Sequence, residues 1–185
     1  YNRINLYEGK MMGNISIKTG DITKEAECVI VNAANSSLMG GGGVDGDIHR
    51  AGGMKILEEC KEIRKDQYPD GLPIGECAVT NAGNLPSKFV IHTVGPIYDQ
   101  CGEKCASELA SCYSNALRVA NDLGCKNIAF PAISTGIYGY PKEKAAEIAY
   151  KSVKDFLDSK SDMKVIFIFH NSKDEELFKK VLEER

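Results

Sequence analysis

The stretch from Asn32 to Arg50, which reads NAANSSLMGGGGVDGDIHR, constrains the fold of this chain more than any other. An apolar run, 28–31, leads into it, and four consecutive glycines, Gly40 to Gly43, lie at its centre. The residues from Val44 to Arg50 then have the composition of a helix start. Consecutive glycines raise the entropy of the unfolded chain and bury no side chain. We therefore expect bare backbone to approach another group closely at this point.

The glycine tract lies between a predicted buried strand and a predicted helix, as phosphate-binding loops do. Backbone N–H groups at a helix start suit an anionic group, so a ligand that carries phosphate is the leading interpretation. A flexible surface loop is the alternative. The sequence GxxxxGK[ST] is absent, which excludes a Walker A loop. The GxGxxG formed by Gly41, Gly43 and Gly46 is weak evidence for a dinucleotide site by itself.

Length and composition indicate one globular domain. The chain has 185 residues, of which 43% are hydrophobic and 26% charged, and we place the domain at 12–185. Residues 1–11 are interpreted as an N-terminal extension or a vector remnant. The net charge of −3 argues against non-specific binding to a nucleic-acid backbone. No apolar run reaches the ~20 residues of a membrane span and no signal peptide is visible, so we predict a cytoplasmic protein without a membrane partner.

The cysteines indicate a reducing environment. There are seven, an odd number, and several lie in apolar runs, which favours reduced thiols in a cytosolic protein. Cys101 and Cys105 form a CxxxC with no histidine nearby in the sequence, which is too little for a zinc site. We predict that the protein needs neither a metal nor a cofactor.

Hydrophobic periodicity predicts strands that alternate with helices. The strands are expected at 12–18, 27–32, 76–81, 88–94, 127–132 and 164–169, and the helices at 44–50, 54–65, 103–123, 141–158 and 173–184. This order predicts a three-layer α/β/α sandwich with a mixed, largely parallel central sheet. Ligands of such sheets bind beyond the carboxyl ends of the strands. The glycine tract and a second glycine-bearing loop, Ser134 to Pro141, are therefore expected to meet at one cleft.

Five motifs in order resemble the macrodomain family, and within it the MacroD-type branch. They are TGDIT (19–23), VNAAN (31–35), GGGGVDGDIHR (40–50), VIHTVGP (90–96) and FPAISTGIYGYP (130–141). The likeness runs from about Met12 to the end of the chain. Members of this branch bind ADP-ribose and cut ADP-ribosyl or acyl esters.

The resemblance implies contacts for each part of ADP-ribose. Asp21, with Ile22 beside it, corresponds to the aspartate that accepts a hydrogen bond from the adenine amino group. Phe169 corresponds to a position that packs against adenine, or is an ordinary core residue. Backbone amides of the second loop are implied to wrap the pyrophosphate, with the glycine tract closing from the other side and Asn35 bonding the distal ribose. These two loops comprise Ser134, Thr135, Gly136, Ile137 and Tyr138, where Tyr138 lies beside the distal ribose, and Gly41, Gly42, Gly43 and Val44.

Asp45 and Asn35 are implied as the catalytic residues. A carboxylate at Asp45 can orient or deprotonate a water, or hold a water that the substrate phosphate activates. Capping the helix is the alternative role for Asp45. His49 lies one helical turn later and is expected to support Asp45 or to be buried. Asp47 departs from the small residue usual in the family, and it either raises the pKa of one carboxyl group or points to solvent.

The leading function is hydrolysis of the ester between ADP-ribose and a protein Asp or Glu, and of O-acetyl-ADP-ribose. A non-catalytic ADP-ribose reader is the second hypothesis, and the presence of both Asn35 and Asp45 favours the enzyme. A single-strand RNA or poly(A) binder is the third, and the acidic balance disfavours it. The expected partners are ADP-ribose, its esters and mono-ADP-ribosylated proteins, with ADP-ribosylated ends as the only nucleic acid. We expect a monomer. His92, within an apolar run, is expected to be a hydrogen-bonded core residue.

Overall fold

The computed structural model describes residues 13–159 and 161–185. Its strands are β1 (Ile15–Thr19), β2 (Val29–Ala34), β3 (Cys77–Asn81), β4 (Phe89–Val94), β5 (Asn127–Phe130) and β6 (Lys164–Phe169). They form a sheet in the order β1-β6-β5-β2-β4-β3. Only the β3–β4 pair is antiparallel, and the other neighbouring pairs are parallel. The prediction of a mixed, largely parallel sheet is confirmed.

Helices cover both faces of this sheet, as the apolar stripes predict. They are α1 (Gly43–Gly52), α2 (Met54–Asp66), α3 (Cys105–Asp122), α4 (Lys142–Asp158) and α5 (Ser172–Glu183). Ile48 of α1 and Ile56 of α2 pack in the core on one face, and residues of α3, α4 and α5 form the core on the other. None of the helices in the described ranges is long and apolar enough to cross a bilayer. Because helices pack on both faces of the sheet, the three-layer prediction is confirmed.

The largest differences from the predicted boundaries have local causes. The predicted strand at 12–18 begins at Ile15, and Met12 lies outside the described residues. Strand β5 ends at Phe130 because Pro131 has no N–H to continue the ladder. A short 3₁₀ helix, Gly102–Lys104, precedes α3. Strand β2 continues past Asn32, a residue type that is rare in strands, because the Asn32 amide has hydrogen-bond partners inside the protein.

The prediction that the cysteines are reduced is wrong for four of them. Cys28 is bonded to Cys125, whose Cα lies 5.5 Å away, and Cys101 is bonded to Cys105. The sequence could not show the first pair, because its cysteines are 97 residues apart and meet only when β2 and β5 become neighbours. The CxxxC pair is a disulfide across the start of α3. The remaining cysteines, Cys60, Cys77 and Cys112, are free thiols.

Candidate functional site

A cleft of about 450 Å³ opens at the carboxyl ends of β1, β2, β5 and β6. Its volume is in the range of small-molecule sites, and its position is the usual one for ligands of parallel sheets. The two glycine-bearing loops form opposite walls. The predicted site residues that line it are Ile22, Asn35, Gly41, Gly42, Gly43, Val44, Asp45, Ser134, Thr135, Gly136, Ile137, Tyr138 and Phe169.

Several lining residues were missed from the sequence. They include Gly20, Gly95, Lys142, His170, Asn171 and Asp174. Gly20, Gly95 and His170 directly follow strands, whereas the other three lie at the N-cap or in the first turn of a helix, which is the signal that could have identified them. Lys142 and Asp174 form an ion pair of 2.7 Å between the first turns of α4 and α5. This pair places one positive and one negative charge at the edge of the cleft.

Asp21 is the predicted ligand residue that does not line this cleft. Its Oδ1 accepts hydrogen bonds from the backbone N and the Oγ1 of Thr23, at 3.0 and 2.7 Å, and so begins a 3₁₀ turn. These bonds lower the pKa of the exposed Asp21 carboxyl group. Its neighbours Gly20 and Ile22 do line the cleft. Asp21 thus closes a turn in this structure, and its contact with adenine remains a prediction.

Two glycines of the tract have a backbone conformation that disfavours side chains, and the tract packs closely on α1 at Gly46. Gly40 and Gly43 have φ angles of 90° and 56°, in the left-handed region. A Cβ atom on Gly46 of α1 would lie 2.5 Å from the backbone oxygen of Gly41. Gly42 is the N-cap of α1. Among the hydrogen bonds within the described residues, none uses the N–H groups of Gly41, Gly42 or Gly43, which leaves them for an acceptor in the cleft.

The second loop is tied down at both ends and exposed at its tip. Ser134 has a φ of 64°, an uncommon conformation for a residue with a side chain. Its oxygen accepts a hydrogen bond from the N–H of Tyr140, at 2.9 Å. The oxygen of Tyr138 accepts one from the N–H of Tyr98, also at 2.9 Å. Between these anchors Ile137 is 96% exposed, so the loop presents both backbone and an apolar side chain.

Asn35 connects the end of β2 to the glycine tract. Its Oδ1 accepts a hydrogen bond from the N–H of Ser37, and its Nδ2 donates to the oxygen of Gly40, both at 3.1 Å. One amide hydrogen of Asn35 is thereby used within the protein. The other remains available to a ligand in the cleft that Asn35 lines.

Asp45 is a buried carboxylate at the base of the cleft. Its Oδ1 accepts a hydrogen bond of 2.7 Å from Nδ2 of Asn32 and lies 3.4 Å from Nε2 of His49. A Cβ atom built on Gly41 would lie 3.2 Å from its Oδ2 and 3.3 Å from Nδ2 of Asn35. No hydrogen bond within the described residues engages this Oδ2. The capping alternative is wrong, because the N-cap position belongs to glycine and has no side-chain cap bond.

Tyr138 lies at the same end of the cleft as Asp45. Burial and the negative charge of Asp45 both raise the pKa of the Tyr138 hydroxyl. The phenol therefore stays protonated and can donate a hydrogen bond. The cleft thus brings together a carboxylate, a phenol and the amide of Asn35.

Asp47 points away from this end of the cleft. It forms an ion pair with Arg50 on the surface of α1, and its Oδ2 lies 3.9 Å from Nε2 of His170. It does not line the cleft. The solvent-facing interpretation of Asp47 is confirmed.

A cluster of potential metal ligands comprises His49, Cys60 and His92. One ligand atom from each lies within 4.8 Å of the other two, which is close enough to hold a metal ion. Both ring nitrogens of His92 already have hydrogen-bonding partners, Asn32 and Thr80. Burial raises the pKa of the Cys60 thiol to about 12, which keeps it protonated. We therefore assign these groups to the polar core behind Asp45. His92 is fully buried and hydrogen-bonded, as predicted.

Comparisons with known proteins agree with this geometry. The Macro domain family model matches residues 31–149. A protein of Escherichia fergusonii named O-acetyl-ADP-ribose deacetylase is 47% identical over 173 residues, which is 93% of this chain and 97% of that protein. The Oceanobacillus iheyensis macrodomain with ADP superposes with a TM-score of 0.90 at 44% identity, covering 92% of this chain and 90% of that one.

A more distant structure preserves the same architecture. The Trypanosoma brucei macrodomain in complex with ADP-ribose superposes with a TM-score of 0.82 at 35% identity, covering 91% of this chain and 69% of that one. The family match, the identity over most of the chain and the shared fold agree with one another. This chain belongs to the macrodomain family.

Proposed function

We propose that this protein is an ADP-ribose-binding hydrolase that cleaves esters at the distal ribose. Its substrates are mono-ADP-ribose esters of protein Asp or Glu side chains and O-acetyl-ADP-ribose. The observation that carries the proposal is the buried Asp45 carboxylate. Its Oδ1 accepts a hydrogen bond from Asn32, while Oδ2 is free of hydrogen bonds from the described residues. Relatives named O-acetyl-ADP-ribose deacetylase support the deacetylase part.

Binding of ADP-ribose rests on the two loops. The pyrophosphate is placed between the free N–H groups of the glycine tract and the backbone of Ser134 to Tyr138, which supply dipoles without a positive side chain. This explains how a chain with a net charge of −3 holds an anion. Adenine is placed toward Ile22 and Phe169, and the distal ribose toward Asn35 and Tyr138.

The chemistry assigned to Asp45 is activation of water. Oδ2 accepts a hydrogen bond from a water that adds to the acyl carbon of the ester, and the water proton passes to the carboxylate or to the substrate phosphate. The bond between the acyl carbon and the ribose oxygen then breaks. The proton ends on the departing ribose hydroxyl, giving ADP-ribose and a carboxylic acid. The hydrogen bond from Asn32 keeps the carboxylate in place during this step.

The test is to incubate the protein with O-acetyl-ADP-ribose and, separately, with a protein carrying ADP-ribose on Asp or Glu. We expect release of acetate in the first reaction and loss of the label in the second. Calorimetry tests binding separately. ADP-ribose should bind more tightly than AMP, because AMP lacks the distal ribose that contacts Asn35 and Tyr138. Tight ADP-ribose binding with both esters intact would instead establish the reader.

A further inference from the structure

A row of four buried polar side chains runs from the sheet edge to the candidate active site. Thr80 lies on β3, His92 on β4 and Asn32 on β2, and the row ends at Asp45 on α1. Asn32 and His92 are neighbours in the parallel β2–β4 register. All four are at most 5% exposed. Polar groups this deeply buried are costly unless hydrogen-bonded, so their bonds constrain one another.

The hydrogen positions along the row follow from its last member. A carboxylate carries no hydrogen, so the Asn32 atom 2.7 Å from Asp45 Oδ1 must be the amide nitrogen. The same Nδ2 lies 3.1 Å from Nδ1 of His92. Since that nitrogen of Asn32 is a donor, Nδ1 of His92 must be the unprotonated ring nitrogen. The hydrogen of the neutral ring is therefore on Nε2.

Thr80 completes the row in the same direction. Nε2 of His92 lies 3.0 Å from Oγ1 of Thr80, which accepts this hydrogen bond and donates its own hydrogen to the oxygen of Asn81, at 2.8 Å. Burial lowers the pKa of His92 to about 4, so the ring is neutral near pH 7. Three titratable groups face this ring: Asp45, His49 and Cys60. The ring centroid of His49 lies 6.1 Å from that of His92, and the Sγ of Cys60 lies 3.9 Å from Nε2 of His92.

We propose that His92 and Thr80 are positioning residues for Asp45, acting through the amide of Asn32. Within the part of the chain that the structure describes, the oxygen of Asn32 is buried without a hydrogen-bond partner, so the two bonds of Nδ2 fix which way the amide faces. If Nδ1 of His92 carried the hydrogen, it would be a donor, and the Asn32 amide would be more stable with its oxygen, rather than its nitrogen, facing the ring. Rotation of the amide would then set that oxygen against Oδ1 of Asp45 and push the carboxylate from its place.

The inference rests on the proposed function. It can be tested at Thr80, which lies outside the cleft. Thr80→Val removes the oxygen acceptor for Nε2 with little change of shape. The buried donor is left with only the weak sulfur acceptor of Cys60, 3.9 Å away, which favours the Nδ1–H form of the ring. We expect turnover of O-acetyl-ADP-ribose to fall by roughly 10- to 100-fold with KM nearly constant. Thr80→Ser, which keeps the hydroxyl, should restore most of the turnover.

Thr93→Val is the matched control. Thr93 is a fully buried residue of β4 whose hydroxyl donates to the oxygen of Glu76, at 3.0 Å, outside the row. Losing this bond should lower the melting temperature as Thr80→Val does, with turnover unaffected. Equal turnover in Thr80→Val and Thr93→Val would overturn the proposal.

Long-range proton–nitrogen NMR of histidine-labelled protein reads the ring directly. We expect the Nε2–H form of His92 in the wild type and a shift toward Nδ1–H in Thr80→Val. A wild-type ring protonated on Nδ1 would overturn the assignment whether or not the protein is a hydrolase. Absence of hydrolysis by a wild type that binds ADP-ribose would overturn the proposed function instead, and the NMR result would still decide the hydrogen positions.

Discussion

A Cβ atom on Gly95 would lie 2.0 Å from Oγ of Ser134 and 2.8 Å from Cγ2 of Ile133. The backbone at Gly95, directly after β4, therefore packs against the side chains of Ile133 and Ser134, with no room for even a methyl group. Ser134 is itself held at a φ of 64°. The shape of this wall of the cleft therefore depends on glycine at residue 95, because Ile133 and Ser134 leave no room there for a side chain.

Gly95→Ala should therefore weaken ADP-ribose binding, because the new methyl group displaces Ser134 and the loop that follows it. We expect an affinity loss on the order of 10-fold or more and destabilisation of about 1–3 kcal/mol. Combining it with Ser134→Gly removes the clashing Oγ and Cβ and should recover part of the affinity. Calorimetry on the two single variants and the double variant checks this. Unchanged binding by Gly95→Ala would contradict it.

Removing the Asp45 carboxylate should affect the chemical step more than binding. Asp45→Ala and Asp45→Asn should lower turnover by about 100-fold or more, as expected for loss of a general base. ADP-ribose affinity should change little, because a carboxylate near a pyrophosphate gives no favourable charge interaction. Asp47→Ala is the control, since Asp47 is on the same helix but outside the cleft. Near-normal turnover by both Asp45 variants would remove Asp45 from the mechanism.

Stability should decline as the pH falls from about 6.5 to about 4. The pKa of His92 is lowered by burial from the ordinary value of 6.5 to about 4 in the folded protein. Between these values the unfolded state binds more protons, so the free energy of unfolding rises with pH. This pH-dependent difference is complete above about 6.5 and amounts to about 3 kcal/mol. Urea unfolding across this range should show a steeper pH dependence for the wild type than for His92→Gln. Parallel curves would be evidence against a neutral buried ring.

The two disulfides should differ in their effect on stability. The Cys28–Cys125 bond joins cysteines 97 residues apart, whereas Cys101–Cys105 spans only 4. Because a longer loop restricts the unfolded chain more, Cys28→Ser should destabilise the protein by about 4 kcal/mol. Cys101→Ser should have a much smaller effect. Melting temperatures of the two variants, with and without reductant, make the comparison. Equal losses would contradict the loop argument.

Turnover should not depend on a metal ion. Both ring nitrogens of His92 are hydrogen-bonded, and the high pKa of the Cys60 thiol disfavours the thiolate that metals require. Activity should therefore persist after dialysis against EDTA. Loss of activity that zinc or magnesium restores would refute the assignment.

The sheet and the cleft could be predicted because their signals are local or depend on strand order. Alternating apolar strands and helices determine a parallel sheet, and glycine-bearing loops after strands mark its ligand edge. The five motifs then identified most of the residues that line the cleft. The sequence did not reveal that Lys142 pairs with Asp174, because they lie on different helices and a surface ion pair has no sequence pattern.

The buried polar row could not be predicted for a different reason. Thr80, His92 and Asn32 are on three strands, and they meet only through the antiparallel pairing of β3 with β4 and the register of β2. The sequence showed His92 as a core residue but not what it bonds to. In the same way, Cys28 and Cys125 have no common pattern. Contacts between distant segments carry the information that a single sequence lacks.

Gly46, which packs against the glycine tract, and Ile137, on the opposite loop, differ in how far they tolerate substitution. A Cβ atom at position 46 would lie 2.5 Å from the backbone oxygen of Gly41, so any side chain there would push the glycine tract away from α1. The position of this backbone therefore depends on glycine at residue 46. Ile137, exposed at the tip of the opposite loop, is a side chain that substitution can change without disturbing the core. Variants that probe the walls of the cleft are therefore better made at Ile137 than at Gly46.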